Sequence, residues 1–323
     1  MKKSLVLLAG VVMFGLSCNK STSNEDESFQ DEEITATKRS CSSDDVLQQQ
    51  LIEDPTLGTR MNAIEEFTRR IIESPDQNRL VNGVIEIPVV VNVLYKSTAQ
   101  NISTTQIQSQ IDVLNEDFNA TNADSYKVPS NFQNVKANVG IRFVLDKVVR
   151  KKTSKTSWST NDAMKKSSSG GISATTPTTK LNIWVCNLSG GVLGYAQFPG
   201  GASSTDGVVI LSTAFGRVGT ASAPFNKGRT ATHEVGHWLN LRHIWGDATC
   251  GSDLVSDTPT HNTANYGCPA ASHKSTCSGT PLEMWMNFMD YTDDACMYMF
   301  SNGQKSRVLA TFASGGPRAS FAQ

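Results

Sequence analysis

The stretch Ala231-Thr232-His233-Glu234-Val235-Gly236-His237-Trp238-Leu239-Asn240-Leu241-Arg242-His243 constrains this chain more than any other. His233 and His237 are four residues apart, so on an α-helix their imidazoles share a face, one turn apart. Two neutral imidazoles so placed can hold a zinc ion at about 2.0–2.1 Å from each nitrogen. Glu234 lies one position round from His233 and can reach a water on that metal without ligating it. The helix is expected to stop near Asn240, letting the chain turn and bring His243 in as a third ligand. Three protein ligands leave a fourth position for water, the mark of a catalytic rather than a structural zinc site. A bare His-Glu-x-x-His is often an ordinary helix with two surface histidines. Here three of the chain's five histidines fall in this one stretch, and the ordinary reading loses its force.

These residues resemble the metzincin metallopeptidases, whose long motif is His-Glu-x-x-His-x-x-Gly-x-x-His followed by a methionine turn. Asn240 stands where that family usually has glycine. The glycine serves a left-handed residue at the helix end, and asparagine is the next-best residue for positive φ, so the turn is kept. Further on, Asn287-Phe288-Met289-Asp290-Tyr291 matches the methionine turn. Met289 would pack its thioether beneath the ligands, and Tyr291 could donate a hydrogen bond to the reacting oxyanion. The histidine motif, the Met-turn and the cysteine spacing together are most similar to the pappalysin-type branch, over residues 38–312 and most strongly over 190–312. The fold this resemblance implies is α/β (α+β). An upper subdomain would carry a twisted, mostly parallel sheet with an antiparallel edge strand and the active-site helix. A lower subdomain would be irregular and disulfide-bonded. The implied activity is zinc endopeptidase action on proteins or peptides, with Glu234 moving the proton. The expected boundaries are 1–17 for a signal peptide, 18–60 for a tether and propeptide, 61–243 for the upper subdomain and 244–323 for the lower.

A net charge of −1 over 323 residues gives no basic excess to hold nucleic acid, and the length suits one or two domains. Met1-Lys2-Lys3-Ser4 ahead of Leu5 to Leu16 reads as a bacterial export signal, too short for a membrane span. Cys18 follows Gly15-Leu16-Ser17, like a lipoprotein cleavage site with its leucine one position late. A lipid anchor at Cys18 and free secretion both stay open. Residues 19–40 are polar and acidic, the composition of a disordered tether.

The cysteines are 18, 41, 186, 250, 268, 277 and 296. Four cluster after the histidine motif, and in an exported protein they read as a disulfide framework. Four cysteines allow three pairings; the resemblance implies Cys250–Cys277 and Cys268–Cys296. A second zinc site is the rival, opposed by the wide spacings. Arg39-Ser40-Cys41 matches the Arg-x-Cys stretch that looks like a cysteine switch in pappalysin-type enzymes. There a thiolate, a strong zinc ligand, would silence the zymogen; an incidental free thiol is the alternative.

Residues 44–53 and 61–73 read as helices, with Gly58-Thr59-Arg60 as an exposed turn between them. Activation cleavage is expected near Arg60 or at Arg69-Arg70. Strands are expected at 84–95, 141–145, 181–188 and 207–211, with Pro88 near a bend or edge. Ser103-Thr104-Thr105-Gln106 reads as a capping box opening a helix whose apolar face is Ile107, Ile111, Leu114 and Phe118. Residues 151–180 read as a loop. The 190–200 segment is either a glycine-rich loop or the edge strand that pairs with extended substrate. Ser301 to Gln304 caps a last helix running to about Phe312.

Asp247, Asp253, Asp257, Thr258 and Asn262 lie on an irregular segment whose hard oxygens suit Ca2+, or are simply turn formers. The resemblance implies one or two structural calcium ions there, at Asp253, Asp257 and Thr258 first. The family tends to cut before a basic side chain, and Asp293 or Asp294 could supply the acidic pocket. The chain is expected to be a monomer or weak dimer. Two other classes compete: a zinc hydrolase of another kind, such as an amidase, and a non-catalytic zinc-binding surface lipoprotein. His243 and Met289 count against the first, and Glu234 against the second.

Overall fold

The computed structural model describes residues 38–74 and 84–322. The export signal, Cys18 and most of the tether therefore lie outside the described residues. Among those described, no helix is long and apolar enough to cross a membrane.

Two helices lead, α1 (Ser43–Glu53) and α2 (Leu57–Glu73). The expected turn at Gly58-Thr59-Arg60 is instead the first part of α2. Asp54 ends α1, and its carboxylate accepts hydrogen bonds from the Thr56 N–H and hydroxyl, so the chain turns before residue 57. Arg60 then reaches back to Asp54 and across to the carbonyl of Gly200. Both expected cleavage regions, Arg60 and Arg69-Arg70, thus lie on hydrogen-bonded helix.

The core is a five-stranded sheet: β1 (Ile85–Tyr95), β2 (Ile141–Lys152), β3 (Leu181–Cys186), β4 (Gly194–Ala196) and β5 (Val208–Leu211), in the order β2-β1-β3-β5-β4. All pairings are parallel except β4 with β5. A parallel sheet is buried on both faces, which is why β1 and β3 read as nearly unbroken apolar runs. Pro88 sits inside β1 opposite Val144, on the side where β3 has not yet begun to pair and one residue before a register shift at Val89/Val90. A residue with no N–H to give is tolerated there.

Helix α3 (Thr104–Phe118) buries Ile107, Ile111, Leu114 and Phe118 against the sheet, each contributing about 1.5–3 kcal/mol. Its capping box is half made. Ser103 accepts from the Gln106 N–H, but the Gln106 side chain donates to the carbonyls of Ser212 and Phe215. The active-site helix α4 (Arg229–Trp238) packs over the sheet beside β4 and β5.

After His243 the backbone is irregular up to α5 (Asn302–Ala310), and the disulfides Cys250–Cys277 and Cys268–Cys296 tie it. The α5 capping box at Ser301 and Gln304 is complete. Helix α2 lies on α5, where Arg307 makes a bidentate pair with Glu65 at 2.8 and 2.9 Å.

Candidate metal centre and active site

Helix α4 ends where its sequence requires. Asn240 has φ +70°, its N–H donates to the carbonyl of His237, and the N–H of Leu241 donates to the carbonyl of Gly236. This is a Schellman ending with asparagine in the left-handed position. It reverses the chain and returns His243 to the helix face. Nε2 of His237 then lies 3.1 Å from Nε2 of His233 and 3.0 Å from Nε2 of His243. All three rings are buried.

The outer nitrogens explain why these face inward. Nδ1 of His233 donates to the carbonyl of Phe288 at 2.7 Å, and Nδ1 of His237 to that of Leu241 at 2.8 Å. Nδ1 of His243 meets the carboxylate of Asp247. Each Nε2 is then left with a lone pair, and three lone pairs in contact repel unless a cation lies between them. Burial, and then the neighbouring imidazoles, push His233 well below the usual histidine range and His237 down to about 3, so both are neutral and free to bind a cation. Tetrahedral bonds of about 2.0–2.1 Å would set nitrogens roughly 3.4 Å apart, close to the spacing found. The residues fit a zinc ion.

The Met-turn lies beneath. A β-carbon on Gly236 would come within 2.4 Å of the Met289 sulfur, so the bare glycine lets the turn touch the helix. The same turn presents the Phe288 carbonyl that orients His233.

Residues 40–42 run alongside the sheet edge. Leu193 N–H donates to the carbonyl of Ser40, and Ser42 N–H to that of Gly194, pairing the segment parallel to β4. Alternate residues of such a segment face one side, here the site. Arg39 is buried and pairs with Asp294 at 2.6 Å, with further bonds to Thr292 and Thr230. The Cys41 sulfur and the three imidazole nitrogens lie within 4.8 Å of one another. The Ser43 hydroxyl donates to Glu234 at 2.9 Å and accepts from the Ala196 N–H at 2.8 Å. The Tyr291 hydroxyl donates to the carbonyl of Cys41 at 3.1 Å. Burial raises Glu234 to about 7, against lowering by Ser43, Cys41 and Arg39.

Of the two candidate pocket residues, Asp294 and not Asp293 carries the arginine pair. The candidate calcium oxygens do not gather as one set. Asp253 accepts from the Thr258 hydroxyl and the Val255 N–H. Asp257 accepts from the Ser301 hydroxyl and the Gly303 N–H at the start of α5, and Asn262 accepts from Ser275 and Thr276. The sequence reading missed Ser43, the attachment of Asp247 to His243, and Trp245, which stacks on His243 at 4.3 Å. Two had a signal: 39, 41 and 43 are alternate positions, and Asp247 lies four after His243.

The fold and this site define a metal-dependent endopeptidase. The family model described as Pregnancy-associated plasma protein-A matches residues 173–313. An extracellular metalloprotease 1 of Coccidioides posadasii is 34% identical, over 69% of this chain and 75% of its own length. Mature mirolysin of Tannerella forsythia, solved with a cleaved peptide, is 46% identical over 75% of this chain and 96% of its own, with a TM-score of 0.73. A promirolysin mutant from the same organism is 43% identical over 88% of this chain and 97% of its own, with a TM-score of 0.80. The chain belongs to the pappalysin-like family of zinc metallopeptidases.

Proposed function

We propose that this chain is made as a latent zinc endopeptidase, exported, that cuts protein or peptide bonds preceding arginine or lysine. The observation that carries the reading is the convergence of the His233, His237 and His243 Nε2 atoms with Glu234 beside them. Bound there, zinc would polarise the scissile carbonyl and lower the pKa of an attacking water. Glu234 takes the proton from that water and passes it to the leaving amine. Tyr291 donates to the developing oxyanion, as it now donates to the Cys41 carbonyl; one such donor contributes on the order of 3–4 kcal/mol.

Latency follows from the segment over the site. Cys41 sits where a thiolate would complete the metal's ligands. Ser43 engages Glu234, and Arg39 fills the Asp294 pocket as a basic substrate side chain would. The arginine pair supports the preference for a basic residue after the bond. Promirolysin matches more of this chain than mature mirolysin does, and both α1 and α2 precede the sheet. This supports a propeptide running through α2, with the catalytic domain's two subdomains after it. A structural calcium ion at Asp253 and Thr258 belongs to the same reading. The export signal and the relatives' extracellular names support export, either free or anchored at Cys18.

The test is zinc content and casein hydrolysis of the processed protein. One zinc per chain is expected, with hydrolysis falling at least about 10²–10⁴-fold in Glu234→Ala while zinc is retained. Absence of stoichiometric zinc, or undiminished hydrolysis in the variant, defeats the proposal.

A further inference from the structure

Two of the three candidate ligands are oriented by main-chain carbonyls, those of Phe288 and Leu241. His243 alone is oriented by a side chain, through the bond from its Nδ1 to Asp247. A carbonyl is neutral and comes with any sequence; a carboxylate carries a full charge and depends on one residue. We propose that Asp247 is a positioning residue of the metal centre. It holds His243 as the Nδ1–H tautomer, directs the Nε2 lone pair at the ion, and makes His243 the strongest donor of the three. An imidazole hydrogen-bonded to a carboxylate is more basic at its other nitrogen. The proposal rests on the reading of the three histidines as ligands.

The loop is built to deliver that carboxylate. Gly246 and Asp247 are both left-handed, at φ +64° and +55°, and aspartate is among the few side chains that tolerate this. A β-carbon on Gly246 would lie 2.4 Å from the Ser252 nitrogen, so position 246 must stay bare. The Gly246 N–H donates to the His243 carbonyl at 2.8 Å, curling the chain back. The Cys250–Cys277 disulfide holds the loop's far end. Trp245 stacks on the His243 ring, nearly parallel at 8°, and Tyr291 meets it edge-on at 5.0 Å. The ring is thus held on a face, an edge and Nδ1, while Nε2 faces the other imidazoles. The bond also takes one Asp247 oxygen out of the candidate calcium set. The Asp247 side chain is one-third exposed, so its truncation opens no core cavity.

The experiment compares wild type, Asp247→Asn and Asp247→Ala in the full-length chain. Zinc affinity is measured by competition with a chromophoric chelator, and ligand geometry by the visible spectrum of the cobalt(II)-substituted protein. Thermal unfolding of the zinc-free chains controls for the fold. Asp247→Ala should bind zinc about 10–100-fold more weakly, with a shifted cobalt spectrum and a zinc-free melting point lowered only by the few degrees that alanine costs at a left-handed position. Asp247→Asn, which keeps an acceptor but not the charge, should fall between. Affinities within about twofold of one another and identical cobalt spectra would overturn the proposal. A wild-type chain that binds no zinc would instead overturn the histidine site itself.

Discussion

Arg39 and Asp294 are 255 positions apart, and their contact is what the proposed preference for a basic residue rests on. The pair is dry, with side chains 1% and 0% exposed. The second Asp294 oxygen is already taken by the N–H groups of Lys227 and Arg229. Asp294 therefore has a single anionic oxygen left for a guanidinium, and under the proposed specificity that oxygen meets the substrate's arginine. Asp294→Asn keeps one acceptor oxygen, turns the other into an NH2 donor and loses the charge, and an uncompensated buried guanidinium costs roughly 3–5 kcal/mol. In the processed enzyme kcat/KM for peptides with arginine after the bond should fall by about 10²-fold or more. Peptides with an apolar residue there should change little. A cleavage profile in which both fall equally would assign Asp294 to the fold alone. Ser43 makes a separate prediction about latency. Ser43→Ala leaves the Ala196 N–H without its partner and Glu234 with only the Cys41 thiol, at about 1–3 kcal/mol. The uncleaved chain should then leak activity roughly tenfold above the wild-type zymogen, while the processed enzymes, which lack residue 43, stay identical. Equal leakage, measured with intact mass confirming the propeptide, would remove Ser43 from the latch.

At the scale of elements, α4 depends on how it stops. Asn240 is buried at φ +70°, and its carbonyl accepts from Arg307. A β-branched or plain β-carbon there costs about 1–2 kcal/mol, while glycine costs nothing sterically. Asn240→Ala should lower the melting temperature by roughly 1.5–3 °C for a chain this size and loosen zinc with it. Asn240→Gly should be near neutral. If alanine and glycine behave alike, the left-handed ending is not what sets His243. This ending was legible in the sequence because it is local: the helix, its stop and the third histidine lie within one stretch. The strands of β1 and β3 were legible for the same reason, as apolar runs with no polar face. What was not legible is what distant chain decides. Gln106 looked like half of a capping box, but its amide is taken by carbonyls about a hundred residues away. Gly58 to Arg60 looked like a turn, yet Asp54 makes the turn earlier and Arg60 is needed at Gly200. Ser43 shares the alternation of 39 and 41, but its partner Glu234 lies 191 positions away.

Over the whole molecule, the sheet half is held by its core, and the half after His243 by two disulfides, polar contacts and a smaller apolar cluster around Ile244, Trp245, Met284, Trp285 and Met286. Asp253 is the most exposed to pH among these contacts, although it is only 4% solvent-accessible. Burial raises its carboxyl from 3.8 to about 6, against the lowering by Thr258 and Val255. The folded chain then holds the proton more tightly than the unfolded one. Its stabilising share is fully present below about pH 4 and is lost as pH rises through about 6, an effect on the order of 3 kcal/mol at most. A calcium ion would reverse that loss, because it needs the ionised carboxylate. At a cation concentration a hundredfold above its dissociation constant the gain is about 2.7 kcal/mol. The calcium-free chain, with zinc retained, should therefore melt lower at pH 7.5 than at pH 5. Millimolar calcium should restore the melting point at pH 7.5 and leave it unmoved at pH 5. Asp253→Asn should abolish the calcium response and remove Asp253's share of the pH slope, leaving the share of Glu234 and Asp117, which burial raises to about 7. Calcium that stabilises the variant as well as the wild type would place the ion elsewhere, and a pH slope undiminished by the substitution would show that Asp253 does not hold the proton.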